Sequence, residues 1–221
     1  MLGLKKFLFK SGSASQLPGD IVAALEGWRA SEAPPTDDLH FHVRYVVVDI
    51  VTTGMNAEKD DLVGISAVAV RQHSILPNDA VSIDFTMADE DPAAVDRQLM
   101  AFLKFVAKAP MVCFHVPYAG NFLQRVYKDR FGIDFQPQWV DLAWLLPSMF
   151  DDKAHSVMPL DHWIELLGLD GGSGRRESMD NVLLLARLFQ MLLVRAAGKQ
   201  VDTAARLIDE SRASSFLRRA Y

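Results

Sequence analysis

The chain has one cysteine, Cys113, among 221 residues. No intrachain disulfide can form, and the cysteine usage gives no sign of an oxidising compartment. Cys113 sits in the apolar run Met-Val-Cys-Phe at 111–114, so it reads as a small buried hydrophobe rather than a reactive thiol. An excess of positive charge is also missing. Lys and Arg number 23 against 28 Asp and Glu, a net charge of −5, which argues against a broad basic surface that grips duplex nucleic acid. The local basic clusters, Lys5, Lys6 and Lys10, then Arg175 and Arg176, then Arg218 and Arg219, read as solvated helix ends. Long apolar runs are lacking, since none reaches the ~18 residues of a bilayer span. The first ten residues mix Leu and Phe with Lys5, Lys6 and Lys10 and lack the uninterrupted apolar core of a signal peptide. They read as a short amphipathic segment packed on its own domain. These absences together point to a cytoplasmic protein without a membrane span. Internal repeats and low-complexity tracts are absent as well.

Half of the residues are hydrophobic and 23% are charged, the balance of a folded globular chain. The length suits one α/β domain plus a small appendage. Residues 11–20 hold Ser-Gly-Ser-Ala-Ser and Pro-Gly, a linker pattern. Ile21, Leu25 and Trp28 follow the spacing of a short helix over 20–30, and Pro34-Pro35 then breaks it. We divide the chain into an N-terminal extension with short helices (1–40), a main domain (41–200) and a C-terminal helical tail (201–221). In the main domain the pattern predicts strands at 45–50, 61–70 and 80–85. A helix follows over 92–108, then a strand at 112–114, a helix over 118–131 and a strand at 139–141 leading into 142–146. Helices are predicted over 159–167 and 177–197, and in the tail over 201–215. Strands first, then strands alternating with helices, predict an α/β fold with a mixed sheet flanked by helices.

The most informative stretch is 45–54, Tyr-Val-Val-Val-Asp-Ile-Val-Thr-Thr-Gly. It reads as a buried strand that ends on a carboxylate and a Thr-Thr-Gly turn. It resembles the first motif, Asp-x-Glu-Thr-Thr-Gly, of the DnaQ-like 3′→5′ exonucleases. The run Phe114-His115-Val116-Pro117-Tyr118-Ala119-Gly120-Asn121-Phe122-Leu123 resembles that family's second motif. Leu160 to Gly168, running on through Arg175-Arg176-Glu177 to Leu188-Phe189, resembles the approach to the third. The likeness covers about residues 44–195, in order. It implies a ribonuclease H-like fold. It also implies four carboxylates holding two divalent cations, since Mg²⁺ takes oxygen ligands and two such ions stabilise the attacking and leaving oxygens, and a His as general base.

Carried over position by position, most of that inventory is replaced. The first Asp is Asp49, the Glu is Val51, the second-motif Asp is Ala119, the third-motif Asp is Asn181 and the His is Arg176. A slide of one residue puts the third Asp on Asp180, with Arg175 at the His position; in the first register Asp180 points elsewhere, a helical step being about 100°. Glu177, His115 and Asp141 are the other side chains able to rebuild a site beside Asp49. Arg176 cannot act as a base, because guanidinium has no acceptor; we expect it to pair with Asp49. Thr52, Thr53, Gly54 and Met55 are the expected nucleic-acid-binding residues, with Met55 where the family packs an apolar residue on a terminal base. His40 and His42 read as exposed, and His155 and His162 as non-ligands. Trp139, Trp144 and Trp163 read as core residues rather than base-stacking platforms.

The resulting expectation is an exonuclease-fold protein with a degenerate site, which keeps a role in binding a single-stranded nucleic-acid end or a protein partner. No cofactor is expected for it. The alternatives are an active 3′→5′ exonuclease with an atypical site, using Mg²⁺ or Mn²⁺, and a structural adaptor without nucleic-acid contact. Oligomeric state is not legible.

Overall fold

The computed structural model describes residues 17–86, 92–169 and 177–219. Lys5, Lys6, Lys10, Arg175 and Arg176 lie outside these residues, as do the side chains of Arg218 and Arg219, so the expected pairing of Arg176 with Asp49 does too. The elements, in chain order, are α1 (Gly19–Ala30), β1 (Tyr45–Thr52), β2 (Leu62–Arg71), β3 (Ser74–Asp84), α2 (Pro92–Val106), β4 (Met111–Cys113), α3 (Val116–Phe131), β5 (Trp139–Asp141), α4 (Leu142–Met149), α5 (Leu160–Leu166), α6 (Ser178–Gly198) and α7 (Ala204–Arg219).

The strands form one mixed sheet in the order β3-β2-β1-β4-β5. β1 is central, antiparallel to β2 and parallel to β4, and β4 is parallel to β5. A central strand covered on both faces is apolar throughout, and the β-branched run at 46–48 supplies this. Side chains alternate across the sheet. Val46, Val48 and Ile50 enter one core, with α1, α2 and α3. Tyr45 and Val47 enter the other, beneath α4, α5, α6 and α7. This is the α/β, ribonuclease H-like architecture expected from the motifs.

α6 supplies much of the second core through Leu185, Leu188, Phe189 and Leu192, each contributing about 1.5–3 kcal/mol of burial free energy. By length and composition it is the one helix among the described residues able to cross a membrane. Here half of that stretch is buried in the protein.

β3 begins six residues before the expected start at residue 80. The two-residue turn into it is made by Gln72 (φ 52°) and His73 (φ 58°), a left-handed pair of the kind that Asn-Gly usually provides. With neither Gly nor Asn there, the sequence carries no turn signal. The β2–β3 ladder is interrupted once, passing from the pair Ala69–Leu76 to the pair Val68–Ala80.

The extension and the tail meet. Thr36 O accepts from Ala205 N, Leu39 bridges to Thr203, and His40 N donates to Asp202 O. His40 is buried, contrary to the expectation that both nearby histidines are exposed; His42 is exposed. His40 Nδ1 lies 2.7 Å from Tyr45 Oη, and Nε2 lies 2.9 Å from the carbonyl oxygen of Val201. Since that carbonyl can only accept, Nε2 carries the proton and Tyr45 donates to Nδ1. Of the tryptophans read as core, Trp163 is fully buried, while Trp139 and Trp144 are half-buried.

Candidate functional site

β1 places Asp49 and Val51 on the sheet face shared with Tyr45 and Val47, beneath α6. The first turn of α6 brings Asn181 to this spot. Asn181 Nδ2 donates to Asp49 Oδ2 at 3.3 Å, between two half-buried side chains. Val51 lies opposite Gly64 in the β1–β2 ladder and presents only carbon. Ala119, in α3, is 3% exposed and packs in the first core.

Thr52 alternates to the other face of β1 and meets α3. Its hydroxyl donates to Gly54 O at 2.7 Å and lies 2.5 Å from Tyr118 Oη. Either hydroxyl can be the donor of this second bond. Burial, the main cause, together with the nearby Asp49 and Asp60 charges, pushes the Tyr118 hydroxyl above its ordinary pKa, against the Thr52 bond, which lowers it. Tyr118 was not among the residues expected here. Its signal was available, since a Tyr stands in the second motif facing a Thr on the α3 side of β1.

The segment after β1 is tied down by its own backbone. Thr53 N donates to Asp61 O, and Asp61 N returns a bond to Thr53 Oγ1 at 2.9 Å. Asp60 accepts from Asn56 N at 2.8 Å, and Arg125 donates to Asp60 O at 2.5 Å. A Cβ on Gly54 would sit 2.4 Å from Asp60 Oδ2, so a larger residue here would have to turn the Asp60 carboxylate away from its bond with Asn56 N. Met55 projects from the rim, 78% exposed, rather than packing in the core.

Of the side chains able to rebuild a metal site, the three carboxylates are employed elsewhere. Asp141 is 4% exposed and caps two helices at once. Its Oδ1 accepts from His115 N at 2.9 Å and Ala143 N at 3.0 Å, and its Oδ2 accepts from Val116 N at 2.8 Å. Burial pushes its pKa up and these three N–H groups pull it back. Glu177 and Asp180 form a reciprocal capping box at the start of α6, and both are exposed. His115 is an exposed residue in the left-handed conformation (φ 72°) before α3. Among the described residues no three His, Cys, Asp or Glu side chains converge as ion ligands. The matched positions therefore fit a two-cation centre poorly, with one carboxylate against the four that the resemblance implies, and that one receives an amide N–H.

No family model matches the chain. Over 190 residues it is 23% identical to the PolC-type DNA polymerase III of Thermotoga petrophila and 24% identical to that of Thermotoga maritima. These matches cover 76% of this chain, which spans only 14% of each polymerase. Among solved structures, cell-death related nuclease 4 superposes with a TM-score of 0.55 at 14% identity, over 71% of this chain and 66% of that one. The nuclease domain of 3′hExo, a DEDDh family member bound to rAMP, gives 0.52 at 13% identity, over 74% and 94%. Escherichia coli exonuclease I in complex with a dT13 oligonucleotide gives 0.50 at 11% identity, over 71% and 42%. With its mixed five-stranded sheet and the Thr-Thr-Gly turn at the end of the central strand, the chain has the fold of the DnaQ-like exonucleases.

Proposed function

We propose that this protein holds a single-stranded nucleic-acid end in the cleft at Thr52, Thr53, Gly54, Met55 and Tyr118, without hydrolysing it. The observation that carries the reading is the bond from Asn181 to Asp49. It puts an amide donor against the one matched carboxylate, where the resemblance implies a second carboxylate and a cation between them. Val51 and Ala119 add no ligand atom. The turn at 53–61 remains ordered by its own hydrogen bonds and offers an exposed apolar side chain, Met55, at the rim. Such a side chain packs against a terminal base in the way aromatic and apolar platforms support single strands. Two of the structures that share the fold contain rAMP or an oligonucleotide. The setting proposed is cytoplasmic.

The test is fluorescence anisotropy with a 5′-labelled oligothymidylate carrying a free 3′ hydroxyl, alongside gel analysis of the same strand in Mg²⁺ and Mn²⁺. The expected result is salt-dependent binding with the strand left at full length. Metal-dependent trimming that disappears in Asp49→Ala overturns the non-hydrolytic reading and restores the enzyme. A flat anisotropy signal at low salt overturns nucleic-acid binding and leaves a protein-binding scaffold.

A further inference from the structure

β1, β4 and β5 run parallel, so their C-terminal ends share one edge of the sheet, the side on which open α/β sheets bind ligands. The Asp49 cleft occupies the β1 end of that edge. A second pocket, of about 240 Å³, runs along the outer flank of β5, from Pro137 and Trp139 at the start of that strand to Asp141 at its C-terminal end. Pro117, Pro137 and the half-buried Trp139 supply flat apolar walls, and Arg212 and Ser215 of α7 supply donors. The Asp49 cleft and the Asp141 end of this pocket are two inter-strand spacings apart, roughly 10 Å, with the exposed His115 before α3 on the same edge.

We infer that this pocket is a second subsite for the same strand, in which Trp139 packs a base and Arg212 pairs with a phosphate. The inference rests on the reading that the cleft takes a strand end. Three observations support it. The carboxylate lining the pocket, Asp141, is turned to three backbone N–H groups and is 4% exposed, so it opposes an anion little. Arg212 meets Asp209 at 3.7 Å with both side chains mostly exposed, a contact that a phosphate can replace. Phe216 lies one helical turn beyond Arg212 on the same face of α7 and is 75% exposed, which adds a second aromatic surface next to the cation. Aromatic walls interleaved with a guanidinium are the elements with which proteins hold single strands independently of sequence.

The experiment compares a thymidine dinucleotide with a decamer, by competition and by direct anisotropy, on wild type, Arg212→Glu and Met55→Glu. Arg212 is exposed, so its replacement leaves the core untouched. Arg212→Glu is expected to weaken the decamer about tenfold, to lower its salt slope by about 0.7, and to leave the dinucleotide, too short to reach the second subsite, unchanged. Met55→Glu is expected to weaken both. If Arg212→Glu binds the decamer with wild-type affinity and slope, the second subsite is wrong while the end-binding cleft stands. If wild type binds neither strand, both fall together.

Discussion

Asn181 Nδ2 lies 3.3 Å from Asp49 Oδ2, joining positions 132 residues apart in the chain. The bond makes Asp49 an acceptor for its neighbour in the fold.

That relationship predicts the outcome of rebuilding the centre. Asn181→Asp alone sets two carboxylates side by side, and like charges at such separations raise a pKa and destabilise the pair. A loss of about 1–2 kcal/mol of unfolding free energy, measured by denaturant titration at pH 7, is expected, shrinking when the pH is lowered. With Val51→Glu and Ala119→Asp added, Mn²⁺ is expected to recover that loss and to show calorimetric binding that wild type lacks. Equal Mn²⁺ heats in wild type and triple variant would count against the proposal.

Asp141 is expected to matter for stability rather than chemistry. Asp141→Ala strands the amides of His115, Val116 and Ala143, and charge-assisted bonds of this kind contribute about 1.5–3 kcal/mol each, not additively. Urea titration should show a loss of about 3 kcal/mol or more, with Asp141→Asn less severe. Unaltered stability in the alanine variant would contradict the double-cap role.

Burial holds His40 below its ordinary pKa, helped by nearby His73 and opposed by the Val201 carbonyl and by Asp202. A histidine that is harder to protonate when folded than when unfolded stabilises fully above the unfolded pKa of about 6.5. That contribution is lost as the pH falls below it, because the unfolded chain then binds more protons. Melting temperature is therefore expected to drop between pH 7 and 5.5. The drop should be smaller in His40→Gln, although that variant is less stable at pH 7. Parallel pH profiles in the two proteins would exclude His40 as the source.

Gly54→Ala puts a methyl group 2.4 Å from the Asp60 carboxylate. The Asp60 side chain must swing aside and give up its bond to Asn56 N, a cost of about 1 kcal/mol, and the change falls on the turn that carries Met55. The variant is expected to fold, to melt lower, and to bind oligothymidylate at least several-fold more weakly. Wild-type affinity in a folded Gly54→Ala protein would separate this turn from binding.

Much of the cleft was legible because its logic is local. Period two in β1 places Asp49 and Val51 on one face, and a step of 100° along α6 separates Asn181 from Asp180. What escaped depends on partners distant in sequence. A carboxylate at a strand end looks the same whether it awaits a metal or, like Asp141, caps the helices on either side of it. His40 is buried through Val201, 161 residues away, and no local pattern announces that. Tyr118 acquires its role from Thr52, on a strand 66 positions earlier.

The interrupted β2–β3 ladder has a consequence for solubility. β3 is the outermost strand on its side of the sheet, and a long flat edge invites pairing with another chain. Here Pro77, Asn78 and Asp79 fall between the paired residues Leu76 and Ala80. Pro77 offers no N–H. Asp79 is clamped by Arg44 through bonds of 2.9 and 3.0 Å, and that arginine is itself anchored to the Phe105 carbonyl at 3.0 Å. An incoming strand meets a charged knuckle halfway along and can register with only a few residues on either side. The edge therefore carries a built-in guard against strand-to-strand aggregation.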